Sequence, residues 1–273
     1  ASSFIDLLRN KMAVTGLGAK FLTGLVGQIA IPRQTAGATA YWVAENGAPT
    51  ESQQAFDQVT MTPKTLGAFT DITRKLLLQS SIDVEGLVRN DLATVIAMAI
   101  DLAAINGSGA SNQPTGILNT AGIGSVAGGT NALIPTWGNP VDLDSQGAVA
   151  NADPGALGYL TNAKVRGKLK QVSKVSGQNG FIWEDGTVNG YATGVSNQVP
   201  SNLTKGTASG ICSAILFGNF ADLIIGQWGG LDLMVDPYTG TTAGTVRVVA
   251  LQDVDVAVRH AESFAAMKDA LTA

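Results

Sequence analysis

From Ala38 to Leu78 the residues read as extended chain, and this stretch constrains the fold more than any other. Thr39-Ala40-Tyr41-Trp42-Val43 reads as one strand. Phe56-Asp57-Gln58-Val59-Thr60-Met61-Thr62 opens a second, whose alternation continues through Leu66, Ala68, Thr70 and Ile72. Between them lies Glu45-Asn46-Gly47-Ala48-Pro49-Thr50-Glu51-Ser52, a polar loop rich in turn residues. The pattern predicts a long two-stranded arm. Two strands alone are only marginally stable in water, so the arm needs a surface to lie on, either its own domain or a neighbouring molecule.

Composition points the same way. Charged residues make up 14% of the 273 residues, against roughly 25% in an average soluble chain. Hydrophobic content is an ordinary 45% and the net charge is -4. No apolar run approaches the ~20 residues that span a bilayer, so no membrane partner is expected. A surface so poor in charge is expected to lie against other protein, although a neutral Gly/Ser/Thr-rich secreted monomer would share this composition. The start, Ala1-Ser2-Ser3-Phe4-Ile5-Asp6, lacks both a Met and the basic-then-apolar order of a signal peptide. It is expected either of a trimmed chain or of one beginning at a proteolytic cut.

The remaining elements are local. Residues 3–12 predict a short amphipathic helix with Phe4, Leu7 and Leu8 on one side, followed by Gly/Ala-rich chain to about Ile31-Pro32. Val84, Leu87, Val88, Leu92, Val95, Ala99, Leu102 and Ala103 recur at helical spacing between an Asp83 cap and an Asn106-Gly107 stop. That helix would span about 33 Å, with Asp91 and Asp101 on polar faces. Asn139-Pro140 starts a second helix, and a third follows Asn162 with Val165, Leu169 and Val172 as its apolar face. Leu231–Val235, Thr245–Leu251 and Val254–Val258 read as strands. The order is α+β, with a middle segment able to form its own lobe.

Little in the sequence suggests chemistry. The one cysteine, Cys212, lies in an apolar strand pattern and reads as a packed thiol. His260 is the only histidine, and no Gly-x-Ser-x-Gly elbow supplies it with a nucleophile. Gly107-Ser108-Gly109 follows a helix instead of preceding one, so it fails as a phosphate loop, and Gly122-Ile123-Gly124 reads as a turn. Asp253 and Asp255 share what looks like a solvated sheet face, while Glu184 and Asp185 point apart if extended. Lys164, Arg166, Lys168, Lys170 and Lys174 cluster on one helix and read as its solvated face in a net acidic chain. No metal or cofactor is expected.

A set of local patterns in one order resembles the tailed-phage major capsid proteins of the Hong Kong 97-type fold. They are Ala40-Tyr41-Trp42-Val43-Ala44-Glu45, Ile72-Thr73-Arg74-Lys75-Leu76-Leu77, Asn106-Gly107-Ser108-Gly109 with Gln113-Pro114-Thr115-Gly116-Ile117-Leu118, and Gly194-Val195-Ser196-Asn197-Gln198-Val199-Pro200. Gly218–Leu231, Asp236-Pro237-Tyr238-Thr239 and Arg259-His260-Ala261-Glu262-Ser263-Phe264 complete the set. The resemblance implies an N-terminal arm (residues 1–32), an extended hairpin loop (33–78), a peripheral domain with the long spine helix (79–135 and 231–273) and an axial domain (136–230). It implies a non-enzymatic shell subunit that forms hexamers and pentamers and encloses double-stranded DNA without reading its sequence. Portal and decoration proteins would be its other partners, the virion its location and the host cytoplasm its place of assembly. Trp42, Glu45, Pro49, Glu51 and Phe56 are the expected intersubunit contacts on the extended loop. Some members crosslink a loop lysine to an asparagine with help from a glutamate. Aligned by eye, those positions fall near Pro49, Gly244 and Leu251, which implies a non-covalent shell. The alternatives are an encapsulin-like compartment of the same fold, an enzyme using His260, and a secreted binding module.

Overall fold

A computed structural model describes residues 12–79, 84–152, 155–175, 177 and 179–272. The expected helix with Phe4, Leu7 and Leu8, and the Asp83 cap, lie outside the described residues. The chain opens with strands β1 (Lys20–Leu22), β2 (Ile29–Ala36), β3 (Ala55–Met61) and β4 (Lys64–Thr73). The arm is therefore paired differently from the sequence reading. Its first strand is Ile29–Ala36, which pairs antiparallel with β3, and residues 37–54 carry no strand. Ile31 reaches an apolar cluster at the hairpin base, whereas Tyr41-Trp42-Val43 has no such partner in its own subunit. Strand propensity without packing does not make a strand. The alternation from Phe56 to Ile72 also splits at Thr62-Pro63, because Pro63 has no N–H for a ladder.

Helices α1 (Arg74–Gln79) and α2 (Val84–Asn106) follow, so the extended chain expected through Leu78 ends at Thr73 and residues 74–78 are helical. α2 ends as predicted, with the Gly107 N–H donating to the Ala103 carbonyl at 2.9 Å. Its buried stripe is Leu92, Ile96, Ile100, Ala103 and Ala104, so the face is rotated from the expected one and Leu102 is exposed. Asp101, expected on a polar face, is fully buried.

The second half contains β5 (Gly124–Ser125), α3 (Gly138–Val149), β6 (Leu157–Thr161), α4 (Ala163–Leu169), β7 (Trp183–Glu184), β8 (Thr187–Val188) and β9 (Tyr191–Val195). β10 (Leu203–Lys205), β11 (Ala208–Asn219), β12 (Leu223–Asp236), β13 (Thr245–Val258) and β14 (Phe264–Leu271) complete it. α3 and α4 begin where the sequence places them, but α4 ends at Leu169, so Val172 packs on its cluster from beyond the helix. The Asn162 side chain caps α4 by accepting the Val165 N–H at 2.9 Å.

One sheet has the order β1-β12-β13-β4 and the other β5-β14-β11-β6-β9-β8-β7, with β10 beside β11. β13 is continuous through both predicted strands, and Val248, Ala250, Val254, Val256 and Val258 share one buried cluster with the α2 stripe. α3 and α4 contribute Leu143, Val165 and Leu169 to a second cluster with Tyr159, Ile215 and Phe217 of the other sheet. Cys212 is buried in β11. The strands β11 to β14 tie the two sheets together, since the chain passes from one to the other at Phe220–Asp222 and again at Ala261–Ser263. Phe220 and Phe264 meet edge to face there, 5.6 Å between centroids.

Candidate assembly surface

The arm is firmly anchored at its base. Met61, Ile224, Trp228 and Ala257 form a buried cluster there, joined by Leu25, Ile31 and Val59. The Trp228 indole N–H donates to the Gly27 carbonyl at 2.6 Å. Asp255 accepts the Thr62 N–H at 2.9 Å and the Lys64 ammonium at 2.8 Å. This overturns the solvated sheet face expected for Asp255, which is only 4% exposed because the hairpin base covers that side of β13. Asp253 is half-buried and accepts the Thr65 hydroxyl at 2.6 Å.

Beyond the base the arm leaves its own subunit's core. Arg33 and Asp57 pair across β2 and β3 at 2.8 Å, which holds the Asp57 carboxyl below the usual carboxylate range. The Ser52 hydroxyl ties the two sides at Thr39. At the tip, the Gly47 N–H donates to the Ala44 carbonyl at 2.8 Å, and Asn46 takes a left-handed conformation at φ 60°. Trp42, Glu45, Pro49, Glu51 and Phe56 all lie on this stretch and all are exposed, Trp42 completely. The structure thus brings the five onto one arm, four of them on residues 37–54 and Phe56 in β3.

A second exposed surface went unpredicted. The register of β12, β13 and β4 aligns Met234, Val249 and Phe69 in one row on the sheet face away from α2. Phe69 and Met234 are exposed there. Beside them Arg247 stacks 4.6 Å from the Phe69 ring centroid and grips Asp71 with two bonds of 2.7 and 2.8 Å. That pairing lowers the Asp71 carboxyl and raises the Arg247 guanidinium. The strand alternation of residues 64–73 already places Phe69 and Asp71 on the same face, so the signal was in the sequence.

The sites weighed for chemistry stay apart. His260 is half-buried just before the Ala261–Ser263 turn. Lys164, Arg166 and Lys170 face solvent, as read, while Lys174 pairs with Glu184 at 3.1 Å and lies 5.2 Å from the Trp137 ring centroid. Among the described residues, no three His, Cys, Asp or Glu side chains gather as metal ligands.

A family model described as the phage capsid family matches residues 1–269. The chain belongs to that family. It is 34% identical over 261 residues to the major capsid protein of Halomonas phage phiHAP-1, an alignment covering 96% of this chain and 41% of the relative. It is 29% identical to the major capsid protein of Klebsiella oxytoca phage phiKO2, over 84% of this chain and 54% of that one. The chain therefore spans about half of these family members, or less. Its fold is that of the capsid of a native GTA particle, with a TM-score of 0.80 at 19% identity over 99% and 94% of the two chains. A Gordonia phage Cozz chain superposes with a TM-score of 0.73 at 14% identity, over 98% and 89%.

Proposed function

We propose that this chain is a major capsid subunit, many copies of which close into the icosahedral shell of a tailed phage around its double-stranded DNA. The observation that carries the reading is the arm: an anchored base, an unpaired stretch at residues 37–54, and a fully exposed Trp42 in a member of the phage capsid family. An exposed aromatic on an outstretched loop gains its burial from another molecule, and in a shell of identical subunits that molecule is a second copy. Trp42, Glu45, Pro49, Glu51 and Phe56 are the proposed contact residues. Hexamers and pentamers are the proposed assembly units, with portal and decoration proteins as further partners, and the role is structural, without catalysis or cofactor. The proposal includes assembly in the host cytoplasm, enclosure of DNA without sequence reading, and the four-part division into arm, extended loop, peripheral domain and axial domain. Support for two lobes comes from the separate sheets, although β14 pairs with β11 and so ties the last residues to the axial side.

Electron microscopy of the purified protein at neutral pH, with absorbance at 260 and 280 nm, tests this. Closed shells or capsomer rings carrying nucleic acid are expected. Shells holding a protein cargo would favour a cellular compartment, and a monodisperse monomer at every concentration tried would count against the reading. Boiled particles should run as one monomer band in denaturing electrophoresis, and a ladder of covalent multimers would refute the non-covalent shell.

A further inference from the structure

We propose that Asp101 is a positioning residue for assembly, whose buried carboxylate fixes the segment Met12–Ala19 against the long helix and the loop after β9. Its Oδ1 accepts the N–H groups of Ala13 and Val14 at 3.0 and 3.1 Å. Its Oδ2 accepts the Ser196 hydroxyl at 3.4 Å. Ser196 is itself buried; its hydroxyl accepts the Gln198 N–H at 3.2 Å and its own N–H donates to the Thr161 carbonyl at 2.9 Å. Three stretches distant in sequence therefore end on one side chain: the first described residues, α2, and the Gly194–Pro200 motif.

The receiving end is shaped for this. Residues 14–18 form turns, with the Gly18 N–H donating to the Thr15 carbonyl and the Ala19 N–H to the Val14 carbonyl, both at 3.1 Å. The N–H groups of Ala13 and Val14 open these turns, where a local acceptor is missing, as at any helix start. Asp101 caps them from another element, the service an N-cap side chain performs from its own. Val14 is fully buried in the main cluster, and Leu17 packs so closely on Gly194 that a Cβ there would lie 2.9 Å from its Cδ1. β1 begins at the next residue but one from Gly18 and pairs with Ile224–Gly226 of β12. Where residues 13–19 sit thus decides how the chain joins the four-stranded sheet.

A carboxylate in this place is costly, and an apolar side chain would fill the space with less desolvation. Burial pushes the carboxyl above its ordinary range, and the three donors offset only part of that. What the carboxylate supplies instead is a defined position, since its two oxygens accept from defined donors on two other segments.

The docking half of the proposal stands on the subunit alone; the assembly half rests on the capsid reading. The test is amide hydrogen exchange over residues 12–19 in the full chain, with particle diameter measured in parallel. Asp101→Leu should lose protection at Ala13 and Val14 by on the order of 10- to 100-fold, the worth of hydrogen bonds to a charged acceptor, and should give irregular or open particles. Asp101→Asn should restore both, because a carboxamide oxygen still accepts two N–H groups and its NH2 can donate to Ser196; a purely space-filling role would not show that rescue. Ser196→Ala, a milder change, should lower protection by a smaller factor and is decisive if Asp101→Leu does not fold. Wild-type protection in both Asp101→Leu and Ser196→Ala would overturn the proposal, and so would normal particles built from a subunit that has lost it. Failure of the wild type to form particles would sink the capsid reading, and with it the assembly half, while the exchange data would still decide the docking half.

Discussion

Trp42→Ala should leave the folded subunit intact and weaken its self-association. The ring is fully exposed, and Tyr41 and Val43 beside it are about half exposed, on a stretch without ladder hydrogen bonds. Removing a side chain that touches nothing changes stability by no more than about 0.5 kcal/mol, which moves the melting temperature by about 2 °C or less. Seated against a neighbour, the ring would bury about 150–250 Å², and at ~25 cal/mol per Å² that is about 4–6 kcal/mol before the costs of ordering the loop. Interface tryptophans that matter commonly show losses of about 2 kcal/mol or more on truncation, so about 2 kcal/mol per contact is the working value. It corresponds to about a 30-fold weaker contact. The concentration at which shells begin to form should rise by a similar factor, read by light scattering and size-exclusion chromatography, with calorimetry on the same samples. A melting temperature lowered by many degrees would mean that Trp42 packs on its own subunit. An unchanged assembly threshold would mean that the loop is not the contact.

Three further changes probe the frame that holds the arm. Gly107→Ala would place its Cβ 2.2 Å from the Pro114 carbonyl oxygen and 2.5 Å from that of Ala103; both are backbone, so a loss of about 3 kcal/mol is expected in urea unfolding, and wild-type stability would show the junction to be loose. Asp255→Ala strips the acceptor from the Thr62 N–H and Lys64, which should cost about 2 kcal/mol and speed amide exchange at the hairpin base, with no change there counting against the anchor. Asp71 is held below its ordinary pKa by Arg247. Its stabilising effect is therefore present above the unfolded value of about 3.9 and disappears as pH falls through the lower folded value. The difference in melting temperature between wild type and Asp71→Asn should be small at pH 7 and vanish in stronger acid; a gap that persists there would refute the assignment.

Local signals in the sequence were sufficient for the span of α2 and the starts of α3 and α4, but not for α1, whose residues up to Leu78 read as extended chain. The span Val84–Asn106, the Asn162 cap and the Asn139-Pro140 start depend on residues within a turn or two of one another. The arm was legible as an arm but not in its pairing. Pro32 disguises β2, which tolerates it because a two-stranded ribbon has open edges, and Tyr41-Trp42-Val43 has the composition of a strand without a partner. Trp42, Glu45, Pro49, Glu51 and Phe56 were named by the family resemblance alone, as contacts, and all five are exposed, whereas Asp101 and Asp255 were not legible as buried. An aspartate on a helix or strand points outward by default, and what covers these two comes from 87 and 88 positions away in one case and from 191 and 193 in the other.

Those burials sharpen the argument from charge. Asp101, Asp255 and Asp269 are inside the subunit, while Asp57, Asp71 and Glu85 are engaged with Arg33, Arg247 and Arg89. Unpaired charge facing water is therefore sparser than the 14% charged content suggests. Charge of this kind keeps a solitary protein soluble and apart from its copies. A subunit that places part of its scarce carboxylate inventory in internal anchors, while leaving Trp42, Phe56, Phe69 and Met234 on open surfaces, is built with the interior logic of a domain and the exterior of a component. Its anchors hold the arm and the entering chain in fixed positions, and under the capsid function proposed above its exposed apolar groups would complete their burial between copies.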